Sequence, residues 1–176
     1  MASDDDILRQ AYEHFKKFSL ESRENREIPP EELESRRNRE LNEKEAKVAG
    51  VYQHPSGGAF VLLRDGRGRN LPIWIGEPEA VSISLAVEGA ATPRPMTHDL
   101  MRLLVERLGA GVDHILIDDL HNNVYYAKIA LRQDGKPLDV DCRPSDAIAL
   151  ALRFKAPIYV ADDVLEEGQW PEVTEE

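Results

Sequence analysis

Residues 138–152 read LDVDCRPSDAIALAL, and sixty-seven positions earlier residues 71–85 read LPIWIGEPEAVSISL. Both stretches follow one plan. A short extended run meets a polar knot containing proline, and an acid then opens an apolar run with helical character. Glu79-Ala-Val-Ser-Ile-Ser-Leu falls on Asp146-Ala-Ile-Ala-Leu-Ala-Leu, Gly68 falls on Gly135, and His54 falls on His121. Strand, turn and helix agree at a single offset, which predicts an internal duplication. The expected fold is α+β: a single compact domain of two duplicated βββα units with an intervening helix.

Working outward, the first unit takes strands at 48–53, 59–65 and 71–75, then a helix to about residue 88. The second takes strands at 113–118, 124–132 and 137–142, then the helix of the quoted stretch. Between them Thr97 is read as the cap of a helix whose apolar stripe is Leu100, Leu104 and Leu108, with Gly109 ending it. A last strand is expected over residues 157–161. Residues 47–165 therefore form the domain, and residues 166–176 an acidic tail.

Residues 1–46 are a charged, partly helical N-terminal extension. Ser3 caps its helix, Asp4 to Asp6 suit the positive end, and Ile7, Leu8, Ala11, Tyr12, Phe15 and Phe18 line one side. The stretch after it is mostly Glu, Arg, Asn and Lys, too polar to bury itself. An amphipathic helix on a polar tether is expected to dock on its own domain or on a second copy, so a homo-oligomer, as simple as a dimer, is anticipated. The start MASDDDIL lacks the basic and apolar parts of a secretory signal, and no apolar run reaches the roughly 18 residues of a membrane span. The lone Cys142 excludes a disulfide framework, and a cytoplasmic protein without membrane contact is expected.

Four phrases carry a resemblance. They are Leu71-Pro-Ile-Trp-Ile-Gly with Glu79-Ala, Arg94-Pro-Met-Thr-His-Asp-Leu, Asp141-Cys-Arg-Pro-Ser-Asp-Ala-Ile-Ala-Leu-Ala, and Ala156-Pro-Ile-Tyr-Val. In order and spacing they resemble the bifunctional nuclease domain family over residues 47–165. That resemblance implies a compact α+β domain and a nuclease acting on RNA and DNA with little sequence preference. The net charge of −11 opposes a polyanionic partner unless a cation or a local basic surface overrides it.

Metal-assisted hydrolysis would meet that objection, with carboxylates converging on Mg²⁺ or Mn²⁺. Asp139 and Asp141 are two apart on a strand and share a face. Asp146 opens the buried helix, and Glu79 is its counterpart in the first unit. The expected metal ligands are Asp141, Asp146 and Glu79. Asp99 and His98 join Asp141 and Asp146 as catalytic candidates, while Arg94 and Arg143, each before a proline and a helix start, are placed to hold phosphate. A structural reading stands beside this one. Ser145 and Thr97 are read as N-caps, Asp146 and Asp99 as dipole partners, and the arginines as ion-pair partners within a non-catalytic interaction or ligand-binding module. Arg64, Arg67 and Arg69 crowd a glycine turn, with no aromatic ladder interleaved to suggest a base-stacking groove.

Overall fold

Alternation decides which face of each strand is buried, and here it points nearly every strand the same way. The computed structural model describes residues 42–169 apart from Ser56. The expected N-terminal helix, most of the extension and the end of the tail lie outside the described residues. Those described fall in one compact unit. Its strands are β1 (Glu43–Gln53), β2 (Ala59–Asp65), β3 (Asn70–Ile75), β4 (Ala110–His121), β5 (Val124–Gln133), β6 (Lys136–Cys142) and β7 (Ile158–Ala161). Its helices are α1 (Glu77–Glu88), α2 (Thr97–Arg107), α3 (Pro144–Phe154) and α4 (Asp162–Gly168).

All seven strands form one sheet in the order β3-β2-β1-β7-β4-β5-β6. Each unit is an antiparallel meander followed by a helix, as the repeat predicts. The meanders flank β7, which runs antiparallel to β1 and parallel to β4. Hence β1 and β4 run oppositely, and the two units are related by a pseudo-twofold axis through the sheet near β7. β1 reaches back to Glu43, because residues 43–46 pair with β7. The acidic run after β7 begins with α4, a helix the sequence reading left out. Asp162 and Asp163 sit in its first turn, where the positive helix end favours them.

Inward residues Val61, Leu63, Leu71, Ile73, Ile115, Ile117, Ile129 and Val160 meet Ile83 of α1 and residues Ala147 to Ala151 of α3 in one core. α3 is buried along most of its length, as the apolar run from Ala147 to Leu152 requires. The sheet curls around these helices. Gly168, ending α4, lies between Leu71 of β3 and Tyr125 of β5, strands five places apart. A flat sheet would hold those strands about 24 Å apart. The curl leaves an open cleft of about 410 Å³ between the end of β3, the start of β5 and the start of α3.

Three local expectations are corrected. Ser145 and Thr97 do not cap their helices: Arg143 and Met96 are the N-cap residues, and neither helix start has a cap bond from Ser145 or Thr97. Pro144 explains the first case, since its fixed φ suits the first helical position and starts the helix two residues earlier. In α2 the Asp99 carboxylate accepts the Met96 N–H at 3.0 Å, working backward from inside the first turn. Finally, the Leu100, Leu104 and Leu108 stripe faces away from the core, each leucine being half exposed or more. α2 turns His98 inward instead.

The opposite face of the sheet differs between the units. On β1–β3, Tyr52, Phe60 and Trp74 stand directly opposite one another in register. On β5–β6, Asp139 and Asp141 face the same side as Lys128, which pairs with Asp118.

The curl rests on the missing side chain at Gly168. A Cβ there would meet Tyr125 Oη at 2.5 Å and Leu71 Cδ1 at 2.6 Å. Gly168→Ala is expected to cost about 1–3 kcal/mol through overpacking, read as a lower urea midpoint with an unchanged slope.

Candidate functional site

The two polar knots come together. Arg143, at the N-cap of α3, donates from Nε to Asp146 Oδ2 at 2.8 Å and from Nη2 to Asp146 Oδ1 at 3.0 Å. The same Nη2 donates to Glu79 Oε1 at 2.9 Å. One guanidinium thus holds the two acids that the repeat equates, one from each unit. Its donors at Nε and Nη2 are used, while the two N–H groups of Nη1 have no partner among the described residues. The Arg143 side chain is 65% exposed and lines the cleft.

Behind Arg143 the network runs inward. The Asp146 carboxylate can only accept, so His98 Nε2 carries the proton donated to Oδ1 at 3.1 Å. With the ring neutral, His98 Nδ1 accepts from Ser82 Oγ at 2.8 Å. Ser82 Oγ in turn accepts from Arg153 Nη2 at 3.1 Å. Arg153 also donates from Nε to Asp99 Oδ1 at 2.6 Å, and from Nη1 to the Ala149 carbonyl at 2.9 Å. Seven side chains from α1, α2 and α3 form one continuous chain, and no buried side-chain N or O atom among the described residues lacks a partner.

The electrostatics follow. The His98 N–H chiefly holds the Asp146 carboxyl down at about 2; burial opposes this and Arg143 adds to it. Arg153 holds the Asp99 carboxyl below its ordinary range. The two acids raise the Arg143 guanidinium, so it stays charged at any relevant pH. Burial, with Asp141 next, pushes the Cys142 thiol up to about 12, so it supplies no thiolate at neutral pH.

Ser82, His98 and Asp146 stand in the order of a Ser-His-Asp relay, yet Ser82 is 3% exposed in mid-helix and reaches no substrate. His98 is equally buried, with both ring nitrogens engaged. Here it positions Asp146.

Of the residues singled out from sequence, Glu79, His98, Asp99, Arg143 and Asp146 share this network. Asp141 does not: it faces the other side of the sheet, on β6. Arg94 lies exposed in the link before α2, where its carbonyl accepts from Thr92. Ser82 and Arg153 were missed. Ser82 carried a signal, being polar where the repeat places Ala149. In the basic turn, Arg69 is held by Asp65 and Asp162, and Arg64 by Asn70.

The carboxylates do not fit a Mg²⁺ or Mn²⁺ centre in this arrangement. Arg143 lies between Glu79 and Asp146 where a cation would sit, Asp141 is on the far face, and no group of three His, Cys, Asp or Glu side chains among the described residues is placed to hold a metal. What the arrangement offers is an exposed guanidinium edge beside the starts of α1 and α3, which suits an anion. No described helix is long and apolar enough to cross a membrane.

A family profile described as "Bifunctional nuclease domain" matches residues 61–172. A Mycobacterium tuberculosis protein named only as uncharacterized is 42% identical over 126 residues, 70% of this chain and 75% of its own length. "Bifunctional nuclease 1" of Oryza sativa subsp. indica is 32% identical over 58% of this chain and 32% of its own. "Bifunctional nuclease 2" of Arabidopsis thaliana is 32% identical over 62% of this chain and 37% of its own. The match thus spans about a third of each plant relative.

Asp146 makes stability depend on pH. Its folded-state value, about 2, lies below the ordinary 3.8, so it adds stability above about pH 4 that is lost as pH falls toward 2. The contribution is on the order of 2 kcal/mol. Asp146→Asn should remove it and flatten the acid limb of a stability–pH curve measured by urea unfolding. An acid limb unchanged by the substitution would place the titrating group elsewhere.

Proposed function

Since the chain belongs to the bifunctional nuclease domain family, we propose that it is a nuclease hydrolysing phosphodiester bonds of RNA and DNA, with little sequence preference, at the Arg143 cleft. The observation that carries this reading is the guanidinium itself. It is locked by Asp146 and Glu79, its Nη1 edge points away from both acids, and it lines a cleft open to solvent.

In this reading Arg143 binds a phosphate oxygen and offsets the negative charge that builds on the phosphoryl oxygens as water attacks the phosphorus. Asp146 and Glu79 hold the guanidinium plane, and His98 holds Asp146. Preorganisation of this kind lowers a barrier because no group must reorient as the charge develops. The starts of α1 and α3 add backbone N–H groups to the same rim. A divalent ion would have to compete with Arg143 for Asp146 and Glu79, so metal dependence is a separate question for the assay. The exposed Leu100, Leu104 and Leu108 stripe belongs to the proposal as the surface through which two copies associate.

A non-catalytic ligand-binding module is the second reading. What favours it is the complete pairing of the inner network, which leaves His98 no free nitrogen for proton transfer.

Labelled single-stranded RNA and DNA, incubated with the full chain in Mg²⁺, in Mn²⁺ and in chelator, decide between the two. Cleavage that falls about 100-fold in folded Arg143→Gln, and about tenfold or more in Asp146→Asn, is the expected outcome. Equal cleavage by Arg143→Gln and wild type, or no cleavage in any condition, overturns the nuclease reading at this cleft.

A further inference from the structure

The outer face of the first meander carries a row of aromatic rings. Tyr52, Phe60 and Trp74 sit directly opposite one another on β1, β2 and β3. Their rings form a row, with centroids 5.5 Å apart for Tyr52–Phe60 and 5.4 Å for Phe60–Trp74. His54 closes the row, edge-on to Trp74 at 5.2 Å. Phe60 is buried, and Tyr52 and Trp74 are about half exposed.

Gly50 lets the Tyr52 ring lie against the sheet. A Cβ at Gly50 would stand 2.8–3.0 Å from the Tyr52 ring, so Tyr52 occupies the space a side chain there would take. Trp74 lies against Gly58, whose Cβ would meet the indole at 3.6 Å. Gly50 follows the irregularity that β1 makes between Val48 and Gly50. Tyr52 and Trp74, held side by side against the sheet surface, make an exposed aromatic patch of the kind that marks a binding surface.

Charge on this face narrows the partner. The outward residues of β2 and β3 are Phe60, Leu62, Arg64, Asn70, Pro72 and Trp74, with no acid among them. Lys47 stands opposite Arg64, about 13 Å along the strand from the ring row, and Glu45, farther out on the same face of β1, marks the end of the strip. In a chain of net charge −11 this acid-free strip stands out, and the second unit reverses it by placing Asp141 where the repeat equates Trp74. Aromatic rings on a sheet with flanking cations match the way single strands are bound, by base stacking and phosphate contact without sequence readout. Trp74 also lines the cleft that holds Arg143, so the face continues into the candidate site.

We infer that the exposed Tyr52 and Trp74 rings, propped on Phe60 between them, are a stacking platform for a single-stranded polynucleotide, which they feed over the edge of β3 to Arg143. The inference deepens the nuclease reading and rests on it for the identity of the ligand. The acidic outer face of β6 repels the backbone and confines the strand to the first unit. The row is invisible along the Arg64–Arg69 turn, because register across three strands assembles it.

Binding is measured apart from cleavage. Fluorescence anisotropy of labelled oligothymidylate and oligouridylate, in chelator at low salt, gives the affinity of the full chain. Trp74→Ala and Tyr52→Ala should each weaken binding about tenfold or more, Trp74→Phe should retain most of it, and Arg64→Gln should lower the salt dependence. With Trp170→Phe leaving Trp74 as the single tryptophan, its emission should be quenched by the oligonucleotide. Folded Trp74→Ala that binds as wild type does, or no single-strand binding at low salt, overturns the platform. Sedimentation showing that Trp74→Ala breaks a dimer while leaving oligonucleotide binding intact also overturns it, assigning the face to a second copy. Trp74-dependent binding without cleavage leaves the platform standing and removes the nuclease reading alone.

Discussion

The grip of Arg143 on Asp146 and Glu79 is the contact around which the helical side of this molecule is organised. Asp146 and Glu79 are the same position in two copies of one unit, and like charges brought together across a pseudo-twofold axis repel. A guanidinium between them turns that repulsion into a clasp. Ten residues on, Arg153 does similar work deeper inside, tying the last turn of α3 to Ser82 of α1 and Asp99 of α2. It is 7% exposed at the side chain, so losing Asp99 would leave a buried charge uncompensated. The two arginines bracket α3 and fix where α1 and α2 lie. α2 takes its rotation from His98 and Asp99, and its leucines face solvent as a consequence.

The chain is acidic overall, and its charge is partitioned. Acids gather on the outer face of β6 and in α4, while the acid-free strip lies on the outer face of β2 and β3. A polyanion would therefore meet a graded surface, not a uniformly repulsive one. That partition weakens the objection raised by net charge, because local potential at a bound phosphate depends on near groups and is screened beyond about 10 Å.

Much of the fold was legible because duplication tests itself. Leu71 to Leu85 and Leu138 to Leu152 agree in strand, turn and helix, and the structure keeps their offset through both meanders. Local signals failed where tertiary contacts outweighed them. Pro144 moved the helix start away from Ser145, and Asp99 capped α2 from inside its first turn. α4 escaped notice because its acids read as a solvated tail, although Val164 and Leu165 are buried. Five of the seven network residues were visible as polar knots at helix starts. Arg153 was hidden among the usual basic residues of a last turn, and Asp141 pointed across the sheet, an outcome set by strand register. The aromatic row needed three strands in register, which a one-dimensional reading does not supply.

The central claim is that the seam between the units, at Arg143, is where the chain meets phosphate. Titrating isotope-labelled protein with a short phosphorothioate single strand, and following backbone amides together with the arginine Nε–H signals by NMR, tests it most directly. The predicted result is that the Arg143 Nε–H and the amides of Gly76, Asn123 and Ser145 shift together and saturate at one strand concentration, with the acidic face of β6 unmoved. Saturable shifts confined to residues away from this cleft, with Arg143 silent, would contradict it.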